Sequence, residues 1–301
     1  GKARMATLKT RLAGDEPVLA PLVLNPLMAR LAEAAGFEAL YLGGGAAGYQ
    51  GVFLEANLTL TEMARAGVEI KSATGLPLIL DGACGWGDPM HMHRTIPMAE
   101  AAGFAAIEIE DQLLPKRAHH HVGIEHMVPK ELMAAKIREA VAARRDPDFL
   151  IIARSNGVRS SSMDDALERA EAYHAAGADL LLLLPRNAEE ARHIGERLPA
   201  PLMHLLTRGG PKALGLEIAD MAALGFRLLV DPQPPSSPPT GLGGTATEPW
   251  PRTCGTPAST PRPRHGCRRN CTTRSASSDC SRSSVKRWSA IDWKRKTSRR
   301  R

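Results

Sequence analysis

The residues best able to do chemistry crowd into positions 76–121. This stretch reads LPLILDGACGWGDP, then a helix-length interval, then AAIEIEDQLLPKRAHHH. Two apolar runs each end in acid. Leu78, Ile79 and Leu80 deliver Asp81, and Ala106, Ile107, Glu108 and Ile109 deliver Glu110 and Asp111. Carboxylate oxygens are hard donors. Asp81 and Glu110 are therefore candidate ligands for a divalent cation, Mg²⁺ first and Mn²⁺ as its substitute, with water completing the shell. Lys116, Arg117 and three histidines, His119, His120 and His121, follow directly. Histidine near neutral pH is a ready proton donor or acceptor. A single acid after a strand is more often a helix cap or a solvated loop residue. Two acids on consecutive strands, with cations close behind, point instead to a site.

Apolar runs this short, a helix apart, read as neighbouring parallel strands, and the carboxyl ends of such strands are where α/β barrels place their chemistry. The rest of the chain supplies the scaffold. A strand is expected over 21–25, and Pro26 opens a helix that ends at Gly36. A second strand over 37–42 carries Tyr41, a candidate substrate contact, and runs into Gly43, Gly44 and Gly45. A helix over 61–74 takes Thr59 or Thr61 as its cap. Next come the strand to Asp81, a helix over 90–102, the strand to Glu110 and a helix over 130–144. Strands over 149–154, 178–184, 201–207 and 226–231 then alternate with helices over 163–176, 189–198 and 216–224. Gly36, Gly103, Gly177 and Gly225 each stand where a helix needs a left-handed C-terminal residue. Eight strands alternating with helices predict a (β/α)₈ TIM barrel over 17–232, after a lead-in over 1–16. The eighth helix is missing where it should appear.

The two parts of the chain differ in charge. Residues 233–301 hold 15 Lys and Arg against 3 Asp and Glu, while residues 1–232 hold 24 against 29. Four of the five cysteines, Cys254, Cys267, Cys271 and Cys280, also lie in this tail, leaving only Cys84 in the body. That distribution fits a reduced compartment. The start of the chain lacks the apolar core of a secretory signal, and no apolar run is long enough to span a bilayer. A cytoplasmic protein without membrane attachment is expected.

The tail admits three readings: a basic arm for nucleic acid, a cysteine-based metal module, or a GC-rich gene translated out of frame. The cysteines form no CxxC pair, which weighs against the second. The third fits best. SSPPTGLGGTATEP, at 236–249, has synonymous codons that in the adjacent frame read LAAYRAWRHCYRA, an amphipathic sequence suited to the missing helix. Sequencing the gene tests this; an intact frame would remove the idea.

Three segments carry a resemblance to a known family: residues 81–87, the IEDQ…PKR run from Ile109 to Arg117, and Ile151, Ile152, Ala153 and Arg154. Together they resemble the isocitrate lyase/phosphoenolpyruvate mutase superfamily over about residues 17–232. The resemblance implies a Mg²⁺-dependent barrel that breaks or forms C–C or P–C bonds in small 2-oxo or 2-hydroxy acids through an enolate, assembled as a homo-oligomer. It implies that Asp81 and Glu110 serve the metal, that Gly43, Gly44, Gly45 and Arg154 hold a substrate carboxylate, and that Trp86 walls the pocket. Lys116 and His120 would move protons. The departures are specific. The second aspartate of the family's D-x-D-x-G-Y-G run is Ala83. The Cys-Gly-His that follows Lys-Arg in its lyases is Ala118, His119 and His120, which removes the thiol. Thr-Asp after the arginine is Ser155 and Asn156. A glutamate on strand six is Leu184, and an asparagine on strand seven is Leu205. The expectation is thus a lyase or decarboxylase other than a faithful isocitrate or methylisocitrate lyase. The alternatives are phosphonomutase-type chemistry on the same fold, or an inactive barrel that binds nucleic acid through its tail.

Overall fold

The computed structural model describes residues 6–116, 126–207 and 209–233. Eight parallel strands form one sheet in the order β1-β8-β7-β6-β5-β4-β3-β2. They are β1 (Val18–Pro21), β2 (Leu40–Leu42), β3 (Leu78–Asp81), β4 (Ala106–Glu110), β5 (Leu150–Arg154), β6 (Leu180–Leu182), β7 (Leu202–Leu205) and β8 (Phe226–Asp231). A bridge from Leu22 to Tyr41, with Val23 N donating to Tyr41 O at 2.8 Å, brings β1 back to β2. The barrel is nearly closed.

The described helices are α1 (Leu8–Leu12), α2 (Pro26–Ala34), α3 (Gly44–Gln50), α4 (Leu60–Lys71), α5 (Met92–Ala101), α6 (Lys130–Ala143), α7 (Gly157–Ser160), α8 (Met163–Ala175), α9 (Ala188–Arg197) and α10 (Ile218–Ala223). Their ends follow local chemistry. Asn25 caps α2 by accepting from Met28 N, with Pro26 in the first turn. Thr59 and Glu62 form a reciprocal capping box on α4. Gly36, Gly103, Gly177 and Gly225 all have positive φ, as their place after a helix requires.

Strand alternation sorts the apolar residues into two layers. One set, including Ile107, Ile109, Ile151 and Leu181, packs between sheet and helices. The other, including Ala20, Leu22, Tyr41, Ile79, Ile152, Leu182, Met203 and Val230, fills the barrel interior.

Two expectations about elements need correction. The first strand is Val18–Pro21, not 21–25. The apolar run from Val18 to Leu24 is continuous, and Pro21 marks the end of the ladder rather than its start, in register with Asp231. The three glycines do not form a free turn: Gly43 is the N-cap of α3, and Gly44 and Gly45 are its first residues. The stretch where an eighth helix would stand, and the basic tail from residue 234 onward, fall outside the described residues. On the barrel's outer surface, Leu27 and Leu31 of α2 are 61% and 50% exposed.

Candidate active site

The carboxyl ends of β3, β4 and β5 bring together most of the charge buried inside the barrel. Ladder register pairs Asp81 with Glu108 and Glu110 with Arg154. Glu108 and Glu110 are both 1% exposed, Asp81 8% and Arg154 9%. Buried charges on this scale must be paired and hydrogen-bonded.

They are. Arg154 donates through Nη1 to Glu108 Oε1 at 2.9 Å and through Nε to Asn156 Oδ1 at 3.2 Å, and its Nε lies 3.4 Å from Glu110 Oε2. Lys116 Nζ donates to Glu110 Oε1 at 2.7 Å and to Glu55 Oε1 at 2.5 Å. Asn156 Nδ2 donates to Glu110 Oε2 at 3.1 Å. Asp81 accepts from two backbone amides, Gly44 N at 2.8 Å and Ala83 N at 3.1 Å. A Cβ on Gly44 would stand 3.1 Å from a Glu55 oxygen and 3.2 Å from an Asp81 oxygen, so glycine lets the start of α3 fit between two carboxylates.

These contacts set the protonation states. Burial raises the Glu110 carboxyl, but Arg154 and Lys116 more than offset it and hold it down at about 2. Burial raises Glu108 too, and Arg154 offsets this only in part, leaving it at about 7. Burial works against the Lys116 ammonium, yet Glu110, Glu55 and Asp81 raise its pKa overall, so it stays charged. Burial pushes the Cys84 thiol up to about 12, which keeps it from being a thiolate at neutral pH.

Between β3 and α5 the backbone turns sharply. Ala83 and Trp86 both have positive φ, at 44° and 55°, and Gly85 lies between them at 79°. Non-glycine residues occupy that region at a cost and persist where the surroundings hold them. Here Gly82 N donates to Glu108 O and Glu110 N donates to Ala83 O, both at 2.8 Å, tying the turn to β4. Trp86 donates through its indole to Leu58 O at 2.9 Å. It lines a cavity of about 300 Å³ with Glu55, Leu58, Cys84, Leu114 and Lys116.

The structure therefore gathers Asp81, Glu110, Lys116, Arg154, Gly44 and Trp86 at one end of the barrel. It places Tyr41 a layer below: the side chain is 2% exposed, and its hydroxyl donates to Glu108 Oε2 at 2.9 Å. Tyr41 thus reaches the site as a brace for Glu108. Asp111 faces the outer layer, where it accepts from Ser155 Oγ, Asn156 N and Tyr173 OH, and so anchors the loop after β5. His91 accepts from Asp88 N, and His93 pairs with Glu139. Arg117, His119, His120 and His121 lie outside the described residues.

Sequence reasoning missed Glu108, Glu55 and the role of Asn156. Glu108 was legible: in Ala-Ile-Glu-Ile-Glu, alternation puts Glu108 on the same face as Glu110. Glu55 sits in a short 3₁₀ turn, Glu55–Asn57, after α3, and no periodic signal marks it.

Among the described residues, no three His, Cys, Asp or Glu side chains are spaced to hold a metal as they stand. The donor chemistry nonetheless fits a hard cation. Glu55 and Glu110 both meet the Lys116 ammonium, and the Asp81 carboxylate adds to the negative field around it.

A parallel barrel with acids and an arginine at its carboxyl-terminal mouth is the architecture of an enzyme that binds a small anion there. The chain belongs to the phosphoenolpyruvate phosphomutase family, whose model matches residues 8–231. It is 36% identical over 230 residues to 2,3-dimethylmalate lyase of Eubacterium barkeri, a match covering 75% of this chain and 79% of that enzyme. It is 38% identical over 227 residues to oxaloacetate decarboxylase of Chromohalobacter salexigens, covering 73% and 76%. Among solved structures, a phosphonopyruvate hydrolase in complex with oxalate and Mg²⁺ matches with a TM-score of 0.65 and 31% identity, over 74% of this chain and 78% of that one. These relatives place the chain among the lyases of the isocitrate lyase/phosphoenolpyruvate mutase superfamily. No helix among the described residues is long and apolar enough to cross a membrane.

Proposed function

We propose that this chain is a Mg²⁺-assisted lyase or decarboxylase that cleaves a carbon–carbon bond of a small 2-oxo or 2-hydroxy acid by way of an enolate. The observation that carries the reading is the meeting of Asp81, Glu110, Lys116 and Arg154 at the ends of three adjacent strands. Asp81 and Glu110, joined by Glu55, are the residues that would hold the cation. When bound, Mg²⁺ supplies positive charge where an enolate oxygen becomes negative.

The chain's own groups do the rest. Arg154 is fixed in direction by Glu108 and Asn156, so its guanidinium meets a substrate carboxylate already oriented. Its second terminal nitrogen makes no hydrogen bond to a described residue. Glu108, held by Tyr41, keeps that arginine charged and in place. Lys116 keeps its proton at Nζ against burial, so it cannot act as a base at neutral pH, and the acids that hold it also make it a weaker acid. The strained turn at Ala83 and Trp86 lines one side of the cavity beside Lys116.

The test is release of pyruvate or CO₂ from a panel of malate- and oxaloacetate-like acids, beside phosphonopyruvate, with and without Mg²⁺. Metal-dependent cleavage of a carbon–carbon substrate is expected. Cleavage of phosphonopyruvate alone would move the reading to P–C chemistry, and no turnover of any acid by the folded protein would end it.

A further inference from the structure

The inward face of the barrel is divided, and the division bears on the substrate. Inward positions on β2–β5 include Tyr41, Asp81, Glu108, Glu110 and Arg154. On the other four strands every described inward position is apolar: Val18, Ala20 and Leu22 on β1 and just beyond it, Leu180 and Leu182 on β6, Met203 and Leu205 on β7, Leu228 and Val230 on β8. Three leucines lie highest on this side. Leu24, Leu184 and Leu205 pack on the interior cluster while staying only partly buried. Register places them. Arg154 pairs with Leu182, and Leu184 is the next inward residue beyond it on the neighbouring strand. Leu205 pairs with Val230.

The polar groups of the same strands are turned elsewhere. His204 of β7 faces the outer layer, edge-on to Phe226 with centroids 6.0 Å apart. Arg186, after β6, is tied to Glu190 at 2.9 Å and lies at the surface. Asp231 ends β8 with its carboxylate accepting from Gln233 N at 3.1 Å.

We propose that the substrate presents an alkyl substituent, not a further carboxylate, to the wall formed by Leu24, Leu184 and Leu205. Leu184 and Leu205 are then the specificity-determining residues. This rests on the proposed function, because Arg154 and the acid cluster must hold the reacting end for the rest of the molecule to reach β6 and β7. The physical reason is an asymmetry. A methyl group against partly exposed leucine leaves water and gains contact. A carboxylate there loses water and finds no donor in return. The substrate class is thus an alkyl-substituted malate or oxaloacetate rather than a tricarboxylate of the isocitrate type.

Binding of unreactive analogues to the full chain with Mg²⁺, followed by calorimetry, tests this separately from turnover. Succinate, 2,3-dimethylsuccinate and propane-1,2,3-tricarboxylate share the acid end and differ in what meets the wall. We expect dimethylsuccinate to bind at least roughly tenfold tighter than succinate, the scale of one or two methyl groups in an apolar pocket, and the tricarboxylate to bind weakest. Leu205→Asn and Leu184→Gln should each narrow the gap between dimethylsuccinate and tricarboxylate several-fold. The wild-type comparison stands even if either variant folds poorly. Tricarboxylate binding equal to or tighter than dimethylsuccinate overturns the proposal, as does failure of all three to bind. Selective binding of dimethylsuccinate without turnover of any acid would uphold the wall and remove the lyase reading.

Discussion

The two halves of the barrel interior are built on opposite principles. From β6 round to β1 the inward residues are aliphatic, and stability comes from burial alone. From β2 to β5 the interior holds three carboxylates, Asp81, Glu108 and Glu110, and an arginine, closed off by a lysine from the loop after β4. Such a network is high-stakes, because each charge depends on its partner for the loss of water. A barrel needs only the first kind of interior to fold. The second is retained where a site has to hold and polarise something.

The sharpest way to break this contrast is at Glu110. Glu110→Gln keeps the shape but takes the charge from between Lys116 and Arg154. Activity should fall by roughly a thousandfold or more, on the scale of losing a central electrostatic group. The melting temperature should also drop, because two buried cations are left with one partner fewer. Kinetics and thermal melting on one preparation check both. Unchanged kcat would remove Glu110 from the chemistry.

On the apolar side, Leu182→Ala should cost about 2–5 kcal/mol of stability by leaving a cavity beneath the site. Whatever folded enzyme remains should keep the wild-type dependence on Mg²⁺. Denaturant unfolding and a metal titration separate the two effects. A changed metal midpoint would show that the halves are coupled.

Lys116→Met sharpens the contrast by moving two quantities in opposite directions. The ammonium sits in the negative field of Glu55, Asp81 and Glu110, so removing it should tighten Mn²⁺ binding several-fold, read by electron paramagnetic resonance. Turnover should fall on the order of a hundredfold or more if Lys116 is the proton donor. Mn²⁺ binding that weakens would contradict this.

The smallest effect lies outside both halves. Burial lowers His204 to about 4, and its Nδ1 has no hydrogen-bond partner among the described residues. A group whose folded pKa lies below its usual 6.5 favours the native state above that value, and the advantage is lost as pH falls toward 4. Melting temperature should therefore decline over this range, and His204→Leu should flatten the decline. An identical slope in the variant would discount His204.

Much of this fold was legible because its signals are periodic. The glycines at 36, 103, 177 and 225 stand after helices with positive φ, as their positions demanded, and Thr59 caps α4 with Glu62. The first strand was misplaced because an unbroken apolar run gives alternation nothing to work on, so Pro21 was read as a start. Within the site, Asp81, Glu110 and Arg154 were found because each ends a strand. Glu55 was not, since it comes from a 3₁₀ turn brought in by tertiary packing against Gly44 and Lys116. Glu108 was overlooked although the pattern showed it: an acid inside a strand reads as an interruption until its partners, Arg154 and Tyr41, are seen.

The most direct test of the account is oxalate binding, measured by calorimetry with and without Mg²⁺ on the wild-type chain and on Glu110→Gln. Oxalate has the shape and charge of a pyruvate enolate. If Asp81 and Glu110 hold a hard cation beside Arg154, oxalate binds tightly only when Mg²⁺ is present, and Glu110→Gln abolishes that dependence. Equal oxalate affinity in the presence and absence of Mg²⁺, or an undiminished response in Glu110→Gln, would contradict it.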